Sequence, residues 1–138
     1  MELTLFGRCC QTCRALLSQR FPNIPLAYRS GFPDGILLCS PTAVHPSVLA
    51  IPHSGEHLAM HFPRAAVVTC GMSARDSVSC SSLGDGCAIL SVVRELPIIG
   101  GGFVDVQDIC LPLRVPTDAE PIVLCTAICL CAGFPPQM

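Results

Sequence analysis

Lysine and tryptophan are absent from this chain of 138 residues, and charge of either sign is scarce. The eight basic residues are all arginine. Without lysine there is no Schiff base, no lysine general base and no phosphate-binding loop of the Gly-Lys-Thr kind. Many nucleotide-hydrolysing mechanisms fall with that absence. Charged residues make up 13% and hydrophobic residues 51%, the reverse of a disordered or nucleic-acid-coating chain. No basic run points to nucleic acid. The apolar tail at 121–134 is shorter than the roughly 20 residues that cross a bilayer, so no membrane partner is expected. The opening MELTLFGRCC lacks a charged segment followed by a long apolar one, and no signal peptide is expected.

What the chain does have is apolar surface and sulfur. Its length suits a single domain, 1–138, with one ordinary core. The shortage of charge leaves little polar surface and points toward self-association as a homo-oligomer. Eleven cysteines are scattered through apolar segments, as at Cys39, Cys70 and Cys110. A free cysteine behaves as a small buried hydrophobe, so most are expected to be structural thiols of a reduced, cytoplasmic protein.

Periodicity then divides the chain. Residues 2–6 alternate as a strand. Cys9, Cys13, Leu16, Leu17 and Arg20 share one face of a helix. Strands are expected at 24–28 and 36–39. Pro41, Pro46 and Pro52 exclude a long helix from 40–52, and a short helix is expected at 53–62. Strands follow at 65–70 and 77–83, then a tight turn at 84–86. Residues 87–96 and 103–113 read as a hairpin across 98–102. A last helix is expected at 119–132, capped by Asp118 or Thr117 and ended by Gly133. The summed order, β-α-β-β-α-β and then three antiparallel strands and a helix, predicts an α/β fold. Its sheet would be small, mainly parallel and flanked by helices, with a C-terminal antiparallel β extension and a closing helix.

Thr69-Cys70-Gly71-Met72, the strands beginning near 77, 87 and 103, and the helix at 119–132 carry a resemblance. Residues 61–134 resemble the later part of the central domain of Mur-type amide ligases. In that family a strand with a Thr-Tyr-Gly-Phe signature is followed by antiparallel strands and an Ala- and Leu-rich helix. Residues 66–111 also resemble a group of short, uncharacterised proteins of clostridia-like bacteria, through Arg94 and Val106-Gln107-Asp108. The ligases need a phosphate-binding lysine, a magnesium-binding acid, a metal-binding histidine and a carbamylated lysine. None of these carries over to this chain. The resemblance therefore implies the scaffold without the ATP-dependent ligation.

Several constellations could carry chemistry. Thr69, Gly71, Ser73, Arg75 and Asp76 fall at the carboxyl end of an expected parallel strand, where α/β folds place ligands. Arg75 could meet an anion there. Equally, Ser73 and Asp76 could serve only the amides of a turn. Cys10 and Cys13 open a helix, whose dipole would favour a thiolate. Against that redox reading stands the use of thiols as core filler throughout the chain. His53-Ser54-Gly55-Glu56-His57 resembles the inverted zinc-peptidase motif and the ligand motif of iron-using lyases of quorum-signal synthesis. His61 lies one turn further on. On a helix His53 and His57 would share a face that a metal needs, but Gly55 and Pro52 weaken that helix. A solvated polar surface is the plainer account. The glycines at 100–102 lie between strands and so read as a turn, not a phosphate cradle. Cys125 and Cys129 lie one turn apart among Ile, Leu, Ala and Val, as core residues do.

The function expected from these readings is that of an accessory or binding module without catalysis. It would take a small anionic or nucleotide-like ligand, or a protein partner, and no cofactor. A thiol-redox protein using Cys10 and Cys13, and a metal-dependent hydrolase using His53, Glu56 and His57, are the alternatives.

Overall fold

Val-Leu-Ala-Ile-Pro at 48–52 forms a strand, and that strand decides the architecture. The computed structural model describes residues 1–7, 10–40, 47–84, 86–113 and 118–134. In chain order its elements are β1 (Glu2–Phe6), α1 (Cys10–Arg20), β2 (Leu26–Arg29), β3 (Gly35–Cys39) and β4 (Val48–Pro52). A 3-10 turn (His53–Gly55) then runs into α2 (Glu56–Ala59), followed by β5 (Ala66–Gly71), β6 (Val78–Gly84) and β7 (Cys87–Val92). The two-residue strands β8 (Leu96–Pro97) and β9 (Phe103–Val104), then β10 (Gln107–Pro112) and α3 (Ala119–Cys131), complete it.

Eight strands form one sheet in the order β10-β7-β6-β5-β4-β3-β1-β2. The pairs β1/β2, β4/β5 and β5/β6 are parallel; β1/β3, β3/β4, β6/β7 and β7/β10 are antiparallel. Strand outweighs helix, 41% to 24%. The expectation of a small, mainly parallel α/β sheet flanked by helices is thus overturned: the fold is a mixed, mostly β sheet with three short helices. The cause is local. The prolines around 40–52 exclude helix, but Pro52 is only the last residue of its strand, so it interrupts no pairing within 48–51. All five residues of β4 are buried, as in a strand covered on both faces. Inserted between β3 and β5, β4 pairs antiparallel with β3 and parallel with β5, which makes the sheet mixed.

Other boundaries shift for similar reasons. The single hairpin expected from 87 to 113 divides: β7 pairs with β10, and β8 with β9 across the glycine turn. Gly100, Gly101 and Gly102 all have positive φ there, which residues with a Cβ rarely adopt. Ile98 N–H donates to the Gly102 carbonyl at 3.0 Å. The expected helix at 53–62 contracts to the 3-10 turn and α2, after which Met60, His61 and Phe62 continue in i to i−3 bonds. Asp118 stands at the N-cap of α3 with extended backbone but makes no side-chain capping bond. Cys9, Pro41, Pro46, Asp85 and Thr117 lie outside the described residues.

Alternation along the strands makes two cores. Leu3, Leu5, Ile36, Leu38, Val48, Ala50, Val68, Cys70, Val78 and Leu90 line the face covered by α1 and α3. Phe6, Leu37, Leu49 and Ile51 point the other way and gather under Leu58 of α2, with Phe62 beside them. Gly35 permits that cover, because a Cβ there would come within 2.6 Å of Leu58.

Every residue of α3 from Pro121 to Cys131 is buried. A helix apolar on all sides has to be enclosed. Here α3 contacts β3, β4, β5 and β6, and also α1, β8 and β9. Its C-terminus closes as a Schellman motif on the left-handed Gly133. Phe134 N–H bonds the Cys129 carbonyl at 2.9 Å and Gly133 N–H bonds that of Leu130 at 3.0 Å. Ile99, beside the glycine turn, donates to the Cys131 carbonyl at 2.8 Å. The exposed turn therefore serves to finish the buried helix.

Burial also acts on the thiols of this core. It pushes Cys129 up to about 11, against the pull of the neighbouring Arg20. Burial and then Cys129 push Cys131 up to about 12. Cys70 is likewise raised, first by burial and then by Cys131, Asp76 and Glu120.

Two outcomes follow from this enclosure. Leu124→Ala should cost about 2–5 kcal/mol in urea unfolding, whereas Met60→Ala on the surface should stay within about 0.5 kcal/mol. Stability should also fall as pH rises from the ordinary thiol value of 9.0 toward about 11 to 12. In that window the unfolded chain loses thiol protons that the folded chain keeps, so it binds fewer protons and is favoured. Denaturation midpoints at pH 8 and pH 10.5 measure this, and an unchanged midpoint would contradict it.

Candidate functional site at the carboxyl edge of β4 and β5

Because β4 and β5 are parallel, their last residues, Pro52 and Gly71, reach the same edge of the sheet. His53 starts the 3-10 turn directly after β4. A short loop leaves β5 and returns as β6. Parallel neighbours usually need a crossover of a dozen residues or more. Here the six residues 72–77 suffice, because β6 overlaps β5 at only two positions, Cys70 with Val78 and Gly71 with Ser79. β6 then runs on beyond the end of β5, and the loop is folded tightly against that edge.

Side chains build this loop. Ser73 N–H donates to Asp76 Oδ2 at 3.1 Å, while Asp76 N–H donates to the Ser73 carbonyl at 3.1 Å. Arg75 N–H donates to Ser73 Oγ at 3.1 Å. Thr69 Oγ1 accepts from Ser77 N–H at 3.1 Å and lies 3.4 Å from Ser77 Oγ. Arg94 Nη2 donates to the Arg75 carbonyl at 2.7 Å. Gly71 is required by contact rather than by torsion: a Cβ there would lie 2.6 Å from Asp76 Oδ2.

Of the five residues expected to bind a ligand, the fold gathers all at this edge and occupies most of them. Thr69 and Ser73 spend their hydroxyls on loop amides. The Asp76 side chain is 1% exposed, and one oxygen serves Ser73. Its other oxygen, Oδ1, is buried without a hydrogen-bond partner among the described residues. An unsatisfied buried carboxylate oxygen is costly. Arg75 is exposed, and only its backbone is engaged in the bonds above.

The nearest answer to Asp76 Oδ1 is His53. Its Nδ1 lies 3.9 Å away, and 3.9 Å from Glu56 Oε1 as well. That is ion-pair range but too long for a hydrogen bond. The imidazole is 67% exposed and Glu56 63%. Two carboxylates thus converge on one side chain at the surface, one from the protein interior and one from solvent. The edge suits a positive charge or an N–H donor. The exposed His53–Glu56 contact by itself stabilises little.

The remaining expected site residues sit elsewhere or apart. His61 packs edge-on against Phe32, with ring centroids 5.7 Å apart. His57 is exposed on α2. Among the described residues, no three His, Cys, Asp or Glu side chains are arranged to hold a metal ion. Cys13 is fully buried, in the core shared with α3. Cys10 begins α1, and its side chain lies outside the described residues. Glu120, in the first turn of α3, has its carboxyl raised by partial burial and then by Asp34.

Sequence reading placed His53 in a metal motif and Asp76 in a ligand loop. It did not join them. The joining signal was strand parity: once 48–52 is a strand parallel to β5, residues 53 and 72–76 must share an edge. No protein-family model, no curated protein and no solved structure matches this chain.

Asp76→Ala should cost about 1–3 kcal/mol through the orphaned Ser73 amide. Gly71→Ala should cost about 1–3 kcal/mol by crowding the same carboxylate. Asp76→Asn, whose amide oxygen can still accept from Ser73, should retain most of that stability. Urea unfolding of the three variants measures it, and equal loss in Asn and Ala would show that the Ser73 bond is not the source.

Proposed function

We propose that this chain is a small-ligand binding module without catalysis of its own, and that it binds at the edge formed by His53, Glu56, Arg75 and Asp76. The observation that carries this reading is the buried Asp76 carboxylate with Oδ1 unpartnered beneath an exposed His53. A buried acceptor held by a rigid loop is set to receive a donor from outside. The ligand that suits it has an N–H or cationic group at one end. A negative group at the other end suits the exposed Arg75 guanidinium, since arginine recognises phosphate and carboxylate through its fork of donors. A nucleotide-like molecule has both features. The lack of lysine supports binding over phosphoryl transfer, because the lysine that usually holds the β- and γ-phosphates during transfer has no counterpart here. The hydroxyls of Thr69 and Ser73 are held by loop amides, which leaves them poorly placed as nucleophiles.

The test uses adenosine monophosphate, adenosine and inorganic phosphate with the full chain. Binding at about 100 times Kd adds ~2.7 kcal/mol of stability, read as a rise in Tm. The expected order is monophosphate above either part alone. His53→Gln and Glu56→Gln, both at exposed positions, should leave the unliganded stability within about 0.5 kcal/mol of wild type and reduce the ligand's effect on Tm. A Tm unmoved by all three compounds, together with amide spectra unchanged at 53, 56 and 73–76, would remove the proposal.

A further inference from the structure

Two thiols meet across neighbouring strands, Cys87 of β7 and Cys110 of β10. Their Sγ atoms lie 2.8 Å apart. Alternation explains the meeting. Ala88, Leu90, Ile109 and Leu111 face the core, so Cys87, Ile89, Cys110 and Pro112 share the opposite face. The register sets Cys87 opposite Pro112 and Cys110 opposite Ile89, which makes the two cysteines diagonal neighbours. Diagonal neighbours lie farther apart than directly opposed residues, and here the two side chains close that gap by turning their sulfurs together. Six consecutive residue pairs fix that register, and on the same face Ser91 Oγ donates to Asp108 Oδ1 at 2.9 Å. Cys110 is exposed and Cys87 half-buried, so a reagent in solvent can reach the pair. The chain's other described thiols differ: Cys13, Cys70, Cys80, Cys125, Cys129 and Cys131 are buried, and only Cys39 is partly open.

We propose that Cys87 and Cys110 form a redox modification site that is converted to a cross-strand disulfide by exchange with a small-molecule disulfide such as oxidised glutathione. Cys110 is the entry point, being the more exposed. Its thiolate attacks one sulfur of the glutathione disulfide, the S–S bond breaks, and one glutathione leaves as its thiolate. The result is a mixed disulfide on Cys110. Cys87 then loses its proton to solvent and attacks the Cys110 sulfur, expelling the second glutathione. In sum, two protein thiols are oxidised and one glutathione disulfide is reduced to two thiols. The hydrogen bond that the Cys87 thiol shares with Cys110 raises Cys87, which fits the order of attack: the proton stays on Cys87 until the mixed disulfide has formed. The product pins edge strand β10 to β7.

The experiment equilibrates the full chain in glutathione buffers of rising oxidised fraction, quenches with acid and alkylates. Peptide mass spectrometry then reads each cysteine. The expected result is a Cys87–Cys110 disulfide before any other pair, with Tm raised by several degrees in the oxidised protein. Cys87→Ser should trap a stable glutathione adduct on Cys110, because the second attack is removed. Cys110→Ser should show slower adduct formation at Cys87. Circular dichroism confirms that each variant is folded. Two results would overturn the site: both thiols still alkylated in buffers that fully oxidise dithiothreitol, or wild type and Cys87→Ser accumulating the same Cys110 adduct.

Discussion

The enclosure of α3 is the constraint on which the rest depends. A helix buried on every side from Pro121 to Cys131 cannot rest on a sheet with its outer face in water. Each large aliphatic side chain left exposed would forgo about 1.5–3 kcal/mol. The fold supplies a second cover from α1 and from the small β8–β9 hairpin. Phe134, just beyond the helix, packs tilted against Phe21 with ring centroids 4.9 Å apart, and Ile99 takes up a carbonyl at its end. Much that looks peripheral, including the glycine-rich turn, is there to close this helix.

The two faces of the sheet have unequal cover, and that imbalance distributes the chemistry. One face carries α1 and α3. Among the described residues the other is covered in the middle, where Leu58 and Phe62 close over Phe6, Leu37, Leu49 and Ile51. The uncovered flank of β7 and β10 is where Cys87 and Cys110 meet. The covered middle ends at the parallel edge of β4 and β5, where His53 stands over Asp76. The same element, α2, follows from the 3-10 turn that places His53, so the small second core and the candidate binding edge are positioned together.

Much of the local structure is readable from residues 65 to 134: the strands, the glycine turn and the closing helix follow from alternation, left-handed glycines and an apolar run ended by Gly133. The region 40–52 is not readable in the same way. Its prolines speak against helix, yet Val48, Leu49, Ala50 and Ile51 show no alternation, because a strand buried on both faces has no polar side to display. Missing that strand is what turns a mixed sheet into an expected parallel one. Similarly, the sequence supplies Ser73 and Asp76 as turn-forming residues, but only the packed loop shows that Asp76 Oδ1 is left over.

By itself the sequence determined what chemistry is excluded, since a residue type that is absent cannot act wherever the chain folds. It also determined that α3 would be buried, because from Pro121 to Cys131 the helix carries no charged residue and only Thr126 among apolar side chains and thiols. Tertiary structure alone decided which reactive groups meet. His53 and Asp76, and Cys87 and Cys110, are each separated by more than 20 residues in the chain. Their proximity comes from strand order and register, which are set by the summed burial of many side chains rather than by the few that react.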